Sequence, residues 1–261
     1  MKDAYAMVSL VRLCRLLGST RQAYYQHFWQ IQATGIEESL VLEKVRSIRK
    51  YHRAMGGRKL YEMLHPFLLE HQIKMGRDAL FDLLSSNGLL VKRRRRAFIT
   101  TFSSHWLRKW PNQVRTMEVV RINQLWVSDI TSWKVGERYL YVSLVTDAYS
   151  RKIVGFHLAD TLDSLETIKA LQMALEQLPI NLKHPLWHHS DRGVQYCCGK
   201  YVKLLQDRGI GISMTENGDP LENAIAERIN GILKSEYLNQ NRITNIKDAR
   251  KCLQSSVELY N

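Results

Sequence analysis

Residues 124–158 hold three runs rich in β-branched and aromatic side chains, joined by short turns. QLWVSDITSWK (124–134) is followed by Gly136-Glu137, RYLYVSLVT (138–146) by Asp147-Ala148-Tyr149-Ser150, and RKIVGFHL (151–158) ends the set. Rough alternation within each run predicts three strands in an antiparallel meander. An amphipathic helix is expected over 164–178, with Leu165, Ile168, Leu171, Leu175 and Leu178 at helical spacing and Asp163 with Glu166 as its capping box. A short strand at 185–189, a helix at about 195–207 closed by Gly209, a strand at 210–214 and a last helix complete the pattern. The order β-β-β-α-β-α-β-α predicts an α/β fold whose mixed sheet is covered by helices.

The last helix occupies DPLENAIAERINGILKSEYL (219–238). Asp219 is a good N-cap, Pro220 suits the first helical position, and Glu222 sits where a capping-box carboxylate belongs. Leu221, Ile225, Ile229, Ile232 and Leu233 make one apolar stripe. Asn223, Glu227, Asn230 and Lys234 make a polar face roughly opposite, where one carboxylate among amides is unusual for a merely solvated surface.

Three acids stand out. Asp129 interrupts the apolar-aromatic first strand, a central and largely buried position in which a bare carboxylate is costly. Asp191 lies just beyond the fourth strand in HHSDRG, and Glu227 projects from the last helix. Each alone also fits a structural role: a hydrogen-bonded core acid, a turn or cap acid, a surface acid. Together they share one explanation, since clustered carboxylates repel unless cations sit between them. Mg2+ prefers hard oxygen ligands and leaves positions open for water and phosphate. Two such ions roughly 4 Å apart support in-line displacement at phosphorus. Asp147 reads as a turn residue, and of the neighbours His188 and His189 at most one points toward the acids, because successive strand residues face opposite ways.

The formal charge is +13, and residues 1–117 account for all of it, with 21 Lys and Arg against 8 Asp and Glu; residues 118–261 carry 17 of each. A basic front and a neutral rear point to a polyanion, nucleic acid before an acidic membrane surface, for no basic amphipathic helix with a continuous apolar face is present. In VSLVRLCRLLGSTRQAYYQHFW (8–29), a short helix with Val8, Val11, Leu13, Leu16 and Leu17 stops at Gly18, and Ser19 with Gln22 opens a second through about Trp29. This is the helix-turn-helix pattern, and Arg21 on the second helix would face a DNA groove. A plain helical hairpin fits it as well. A longer helix at 36–55 offers Leu40, Leu42, Val45, Ile48 and Tyr51 for burial. Gly56-Gly57 breaks it, and a short helix opens with Arg58-Lys59 and ends near Pro66. A third, 76–86, buries Leu80, Leu83 and Leu84 and ends at Asn87-Gly88. The cations Lys92, Arg93, Arg94, Arg95 and Arg96 then face either solvent, as a linker, or phosphates, the reading favoured by the basic surroundings. Residues 97–118 have no clean period and read as a linker in which Trp106 and Trp110 pack on something. Cys14, Cys197, Cys198 and Cys252 show neither zinc-ligand spacing nor a disulfide framework, which suggests a reducing, cytosolic compartment. No signal peptide and no bilayer-spanning apolar run is evident.

WVSDIT (126–131), HSDRGVQY (189–196) and ENAIAE (222–227) with LKSE (233–236) resemble the DDE transposases of the bacterial IS-three family, relatives of retroviral integrases. Thirty-five residues separate Asp191 from Glu227 and Lys234 follows seven after it, as in that family; GGRKLY with GRDALFDLLSSNGLLVKRRRR resembles the helix-turn-helix unit ahead of its catalytic core. The resemblance implies an RNase H-like core at 119–261, preceded by a helix-turn-helix-like segment at 1–32, a basic helical DNA-binding domain at 36–96 and the linker at 97–118. It implies Mg2+- or Mn2+-dependent strand cleavage and strand transfer, with Asp129, Asp191 and Glu227 holding two ions, His189 and Asn223 supporting them, and Lys234 contacting DNA. Double-stranded DNA, as transposon ends and target, is the implied partner, together with further copies of the chain and the protein of an upstream reading frame. Members usually continue past the position of Tyr260-Asn261 through an Arg-Pro-His-containing tail, so a terminal helical segment is expected to be missing. A DNA-binding regulator without chemistry and an RNase H-type nuclease are the rival readings.

Overall fold

The computed structural model describes residues 9–91, 105–179, 182–216 and 223–261, apart from the side chains of 28 and 30–33. The chain divides into two compact units: residues up to Tyr51 with Met55–Lys92, and His52–Ala54 with Arg93–Asn261.

The first unit is helical. α1 (Leu10–Leu16) is capped by Ser9, whose side chain accepts from the Arg12 amide, and α2 runs from Arg21 to Tyr51. Two expectations are corrected here. The helix expected to end near Trp29 and the one expected from residue 36 are a single rod, and its cap is Thr20, whose Oγ1 accepts the Ala23 amide at 3.1 Å, rather than Ser19. Gly35 costs an interior helix only about 1 kcal/mol. With no proline nearby, that is too little to break a helix anchored downstream by Val41 and Val45, both 0% exposed. Leu40 and Tyr51, expected to be buried, are exposed, as are Val11, Leu16 and Leu17. Val45 is buried as expected and Leu42 and Ile48 pack on the core, with Val41 taking the place expected of Leu40. Val8 lies outside the described residues.

α3 (Gly57–Glu70) continues past Pro66 because Leu60, Leu64 and Leu68 keep one buried stripe across it. α4 (Arg77–Ser86) buries Leu80, Leu83 and Leu84, as expected from the sequence. These residues meet Val41, Val45, Met55 and Ile73 in one apolar core.

The second unit is built on a five-stranded sheet ordered β3-β2-β1-β4-β5. β1 (Leu125–Val135), β2 (Arg138–Asp147) and β3 (Ile153–Ala159) are the expected antiparallel meander, while β4 (Trp187–Ser190) and β5 (Gly211–Met214) join it in parallel. β1 is therefore central, and its period-2 alternation divides the unit into layers. Trp126 and Ile130 face a core shared with α5 (Ser164–Glu176), α6 (Val194–Cys197) and α7 (Gly199–Asp207). Trp133 and Val135 face α8 (Ala224–Ile232) and α9 (Ile246–Tyr260), through Ile229, Leu233, Leu253 and Val257.

The single helix expected at 195–207 is two, parted by the extended backbone of Cys198. Asp163 caps α5 as expected, but Glu166 does not close a capping box; it takes His157 at 2.7 Å and Lys169 instead. α8 does not stop at Ile232. It runs on through a π-helical turn, Leu233–Tyr237, and a 3-10 turn, Leu238–Gln240. The caps proposed at Asp219, Pro220 and Glu222, and Leu221 of the stripe, lie outside the described residues. Within 97–118, residues 111–113 bond to the β5 side of the sheet: the Met214 amide donates to the Pro111 carbonyl and the Gln113 amide to Ser213 Oγ at 2.9 Å. Trp110 packs on the core there, whereas Trp106, expected to pack, is 92% exposed. Among the described residues no helix is long and apolar enough to cross a membrane.

Candidate active site

Along β1 every residue from Leu125 to Trp133 is buried except Asp129 and Thr131, two positions of one face that keep partial access to solvent. That opening is where the polar groups gather. β4 runs parallel to β1 with Val127 level with His189. Two residues further along the same register come Asp129 on β1 and Asp191 just past the end of β4. Asp191 enters a tight turn, its Oδ1 accepting the Gly193 amide at 2.9 Å.

α8 covers this face. Ile225 and Ala226 pack beside Leu125 and Val127, and Ile229 and Leu233 beside Trp133, so the apolar stripe anchors the helix at both ends of the opening. Between those anchors the polar face turns down onto the strand. Asn223 donates through Nδ2 to the Ser128 carbonyl at 3.1 Å, Asn230 through Nδ2 to Asp129 Oδ2 at 2.7 Å, and Lys234 through Nζ to Thr131 Oγ1 at 3.1 Å. Glu227, four residues after Asn223 and three before Asn230, stays exposed.

The electrostatics follow from this packing. Burial pushes the Asp129 carboxyl up to about 7, with Asp191 adding repulsion and Glu227 a smaller share; the Asn230 amide and the backbone at Ile130 act against it. Burial also lowers Lys234, against the attraction of Asp129. A carboxyl in this state gains from any cation brought between it and the neighbouring acids. Hard oxygen donors with open access match Mg2+ or Mn2+ better than softer metals. Among the described residues, however, no three His, Cys, Asp or Glu stand close enough to form a metal site. The acids lie within mutual repulsion but are not drawn together.

His188 and His189 do face opposite ways. His188 bonds Ser128 Oγ at 2.7 Å and Tyr201 Oη at 3.0 Å on the far side of β1, and burial, with His189 beside it, pushes it down to about 3. His189 shares the side of Val127 and meets Ser213 Oγ at 2.9 Å. Both are 1% exposed. Of the expected DNA contacts, Lys234 lies in the opening, and Arg21, Arg58 and Lys59 are exposed on the helical unit. Lys92, Arg93, Arg94, Arg95 and Arg96 lie outside the described residues. Thr131 and Asn230 were not singled out from sequence as members of this site. For Thr131 the signal was spacing alone, two residues after Asp129 on a strand; for Asn230 it was its place on the polar face with Glu227, three residues earlier on the helix.

Two family models, each described as an integrase core domain, match residues 120–220 and 208–261. The insertion element IS600 uncharacterized 31 kDa protein of Shigella sonnei is 34% identical over 95% of this chain and 90% of its own length. The transposase for insertion sequence element IS629, also from Shigella sonnei, is 28% identical over 80% of this chain and 69% of its own. Among solved structures, the catalytic core domain of HTLV-2 integrase in complex with magnesium aligns at 21% identity with a TM-score of 0.40, covering 52% of this chain and 82% of that one.

Proposed function

The chain belongs to the IS-three family of insertion-sequence transposases with an integrase core, and from that premise we propose that it cuts and joins DNA strands by transesterification at phosphorus. Asp129, Asp191 and Glu227 are its reacting centre and would hold one or two Mg2+ or Mn2+ ions. Bound there, such ions lower the pKa of a water or hydroxyl and neutralise charge on the leaving oxygen. The observation that carries this reading is the state of Asp129, a carboxyl on the central strand pushed up to about 7 by burial and by two other acids.

The chain's own residues set up the rest. β1 and α8 are regular elements, and groups carried on them hold their positions better than groups on loops. Glu227 lies on α8 between Asn223 and Asn230, both bonded to β1, while Asn223 and His189 steady the flanking backbone and strand. Lys234, already desolvated, is suited to exchange Thr131 for a phosphate oxygen of bound DNA. Duplex DNA, as transposon ends and target, is gripped without sequence preference by Lys92, Arg93, Arg94, Arg95 and Arg96, and by Arg58, Lys59 and Arg21. Residues 1–32 and 36–96, which share the single rod of α2, serve as DNA-binding modules, 97–118 as the connection and 119–261 as the core. Joining two ends requires further copies of the chain, with the upstream-frame protein a candidate partner.

Strand transfer on end-derived duplexes with Mg2+ tests this directly. Asp129→Asn, Asp191→Asn and Glu227→Gln should each abolish product while leaving duplex binding within about two-fold, since phosphate contacts dominate affinity. Retained transfer in any of them removes that residue from the centre. Binding without transfer by the parent chain would instead make it a regulator, and cleavage confined to RNA–DNA hybrids would make it a nuclease.

A further inference from the structure

Asn230 is 4% exposed and sits three residues beyond Glu227, between Ile229 and Leu233 of the apolar core. Packing alone would favour an aliphatic side chain there. Its Nδ2 donates to Asp129 Oδ2 at 2.7 Å, and its Oδ1 is buried with no hydrogen-bond partner among the described residues. Turned over, the amide would set its oxygen against the ionised carboxylate, the form that holds a cation, so the donating orientation is the one compatible with an ion-holding Asp129. A buried carbonyl left without a donor costs about 1–3 kcal/mol. Asn223, four residues before Glu227, repeats the arrangement, with Nδ2 on the Ser128 carbonyl and a buried Oδ1 that has no partner among the described residues. Two amides flank Glu227, each with its donor committed to β1 and its acceptor open.

We propose that Asn230 is a positioning residue for the metal-holding carboxylate: its NH2 fixes the rotamer of Asp129 through one oxygen, and its open carbonyl would be available to accept from water brought with a bound ion. The inference rests on the assignment of Asp129 as a metal ligand. Carboxylates that hold metals are themselves held by hydrogen bonds, and removing such outer partners typically weakens metal binding by about 10- to 100-fold. Here the donor also favours the ionised carboxylate, the form that binds a cation.

The test is Mn2+ affinity by titration calorimetry on the full chain, beside metal-free thermal melts. Asn230→Leu keeps bulk and removes both polar atoms; Asn230→Ala removes them without adding any, and is read by the same criterion if the leucine variant does not melt cooperatively. The expected result is Mn2+ binding weakened about 10- to 100-fold with a metal-free melting temperature equal to or above the parent's. A merely structural amide would lower the melt and leave the affinity alone. Parental Mn2+ affinity in the folded Asn230 variant, with binding lost in Asp129→Asn, overturns the role of Asn230 and leaves Asp129 a ligand. Equal affinity in the parent and Asp129→Asn removes Asp129 as a ligand, and the role of Asn230 with it.

Discussion

At Asp129 the cost of desolvation and the cost of repulsion from Asp191 fall on one carboxyl, and both favour its protonated form. The consequence for stability has a definite sign. Below about 4 the group is protonated in folded and unfolded chains alike; from there to about 7 only the unfolded chain ionises, so stability falls as pH rises and the deficit persists above that range. Asn cannot ionise. In metal-free buffer, Asp129→Asn should therefore match the parent near pH 4 and exceed it by roughly 2 kcal/mol at pH 8, a discounted figure because the residue keeps some solvent. Thermal melts with a chelator present at the two pH values check this, and a parent that does not lose stability between them would refute it. The acid itself was legible in sequence as a charge inside an apolar strand. Its bond from Asn230, and the neighbouring bond from Lys234 to Thr131, were not, because which side of a helix lies on a strand depends on how the helix is rolled about its axis, and the apolar stripe fixes that roll only after it has packed.

Among the elements, α5 packs directly over Gly155 of β3. A Cβ there would collide with the Ala170 carbonyl and come within 3.0 Å of Ala174 Cβ. Backbone of α5 is the obstacle, so the strand and helix have to part. Gly155→Ala should cost about 1–3 kcal/mol, read as a lower urea midpoint at unchanged slope. A neutral outcome would show that α5 is free to shift. Helix stops made by glycine were legible, unlike those expected near Trp29 and Pro66: Gly209 adopts φ +63 and closes α7 with the Ile210 amide on the Leu205 carbonyl, the expected left-handed cap. The element that escaped notice was α9, whose Ala249, Leu253 and Val257 recur every four residues and whose cap is the Asn245 side chain on the Asp248 amide. Its polar residues outnumber its apolar ones, and its apolar line is narrow. Such a stripe becomes clear only once α8 and β3 supply the surface it covers.

For the molecule as a whole, the charge asymmetry makes the steepest prediction. Duplex binding should weaken linearly on logarithmic axes as salt rises, and replacing Lys92 through Arg96 with alanine should reduce that slope by about 4–5, since each phosphate neutralised contributes about 0.9. An unchanged slope would return the run to the role of a solvated linker. The sequence by itself determined the order of the five strands, the basic front, and three acids at 129, 191 and 227, because periodicity, turn chemistry and charge are local properties written residue by residue. Only the tertiary structure decided that β4 lies beside β1 so that Asp191 comes level with Asp129 two residues past the Val127–His189 pair, and that α8 turns Asn230 down onto the acid and Asn223 onto the Ser128 carbonyl. Those are outcomes of competition between surfaces distant in the chain, in which burying Ile229 and Leu233 against Trp133 outweighs exposing the polar face to water.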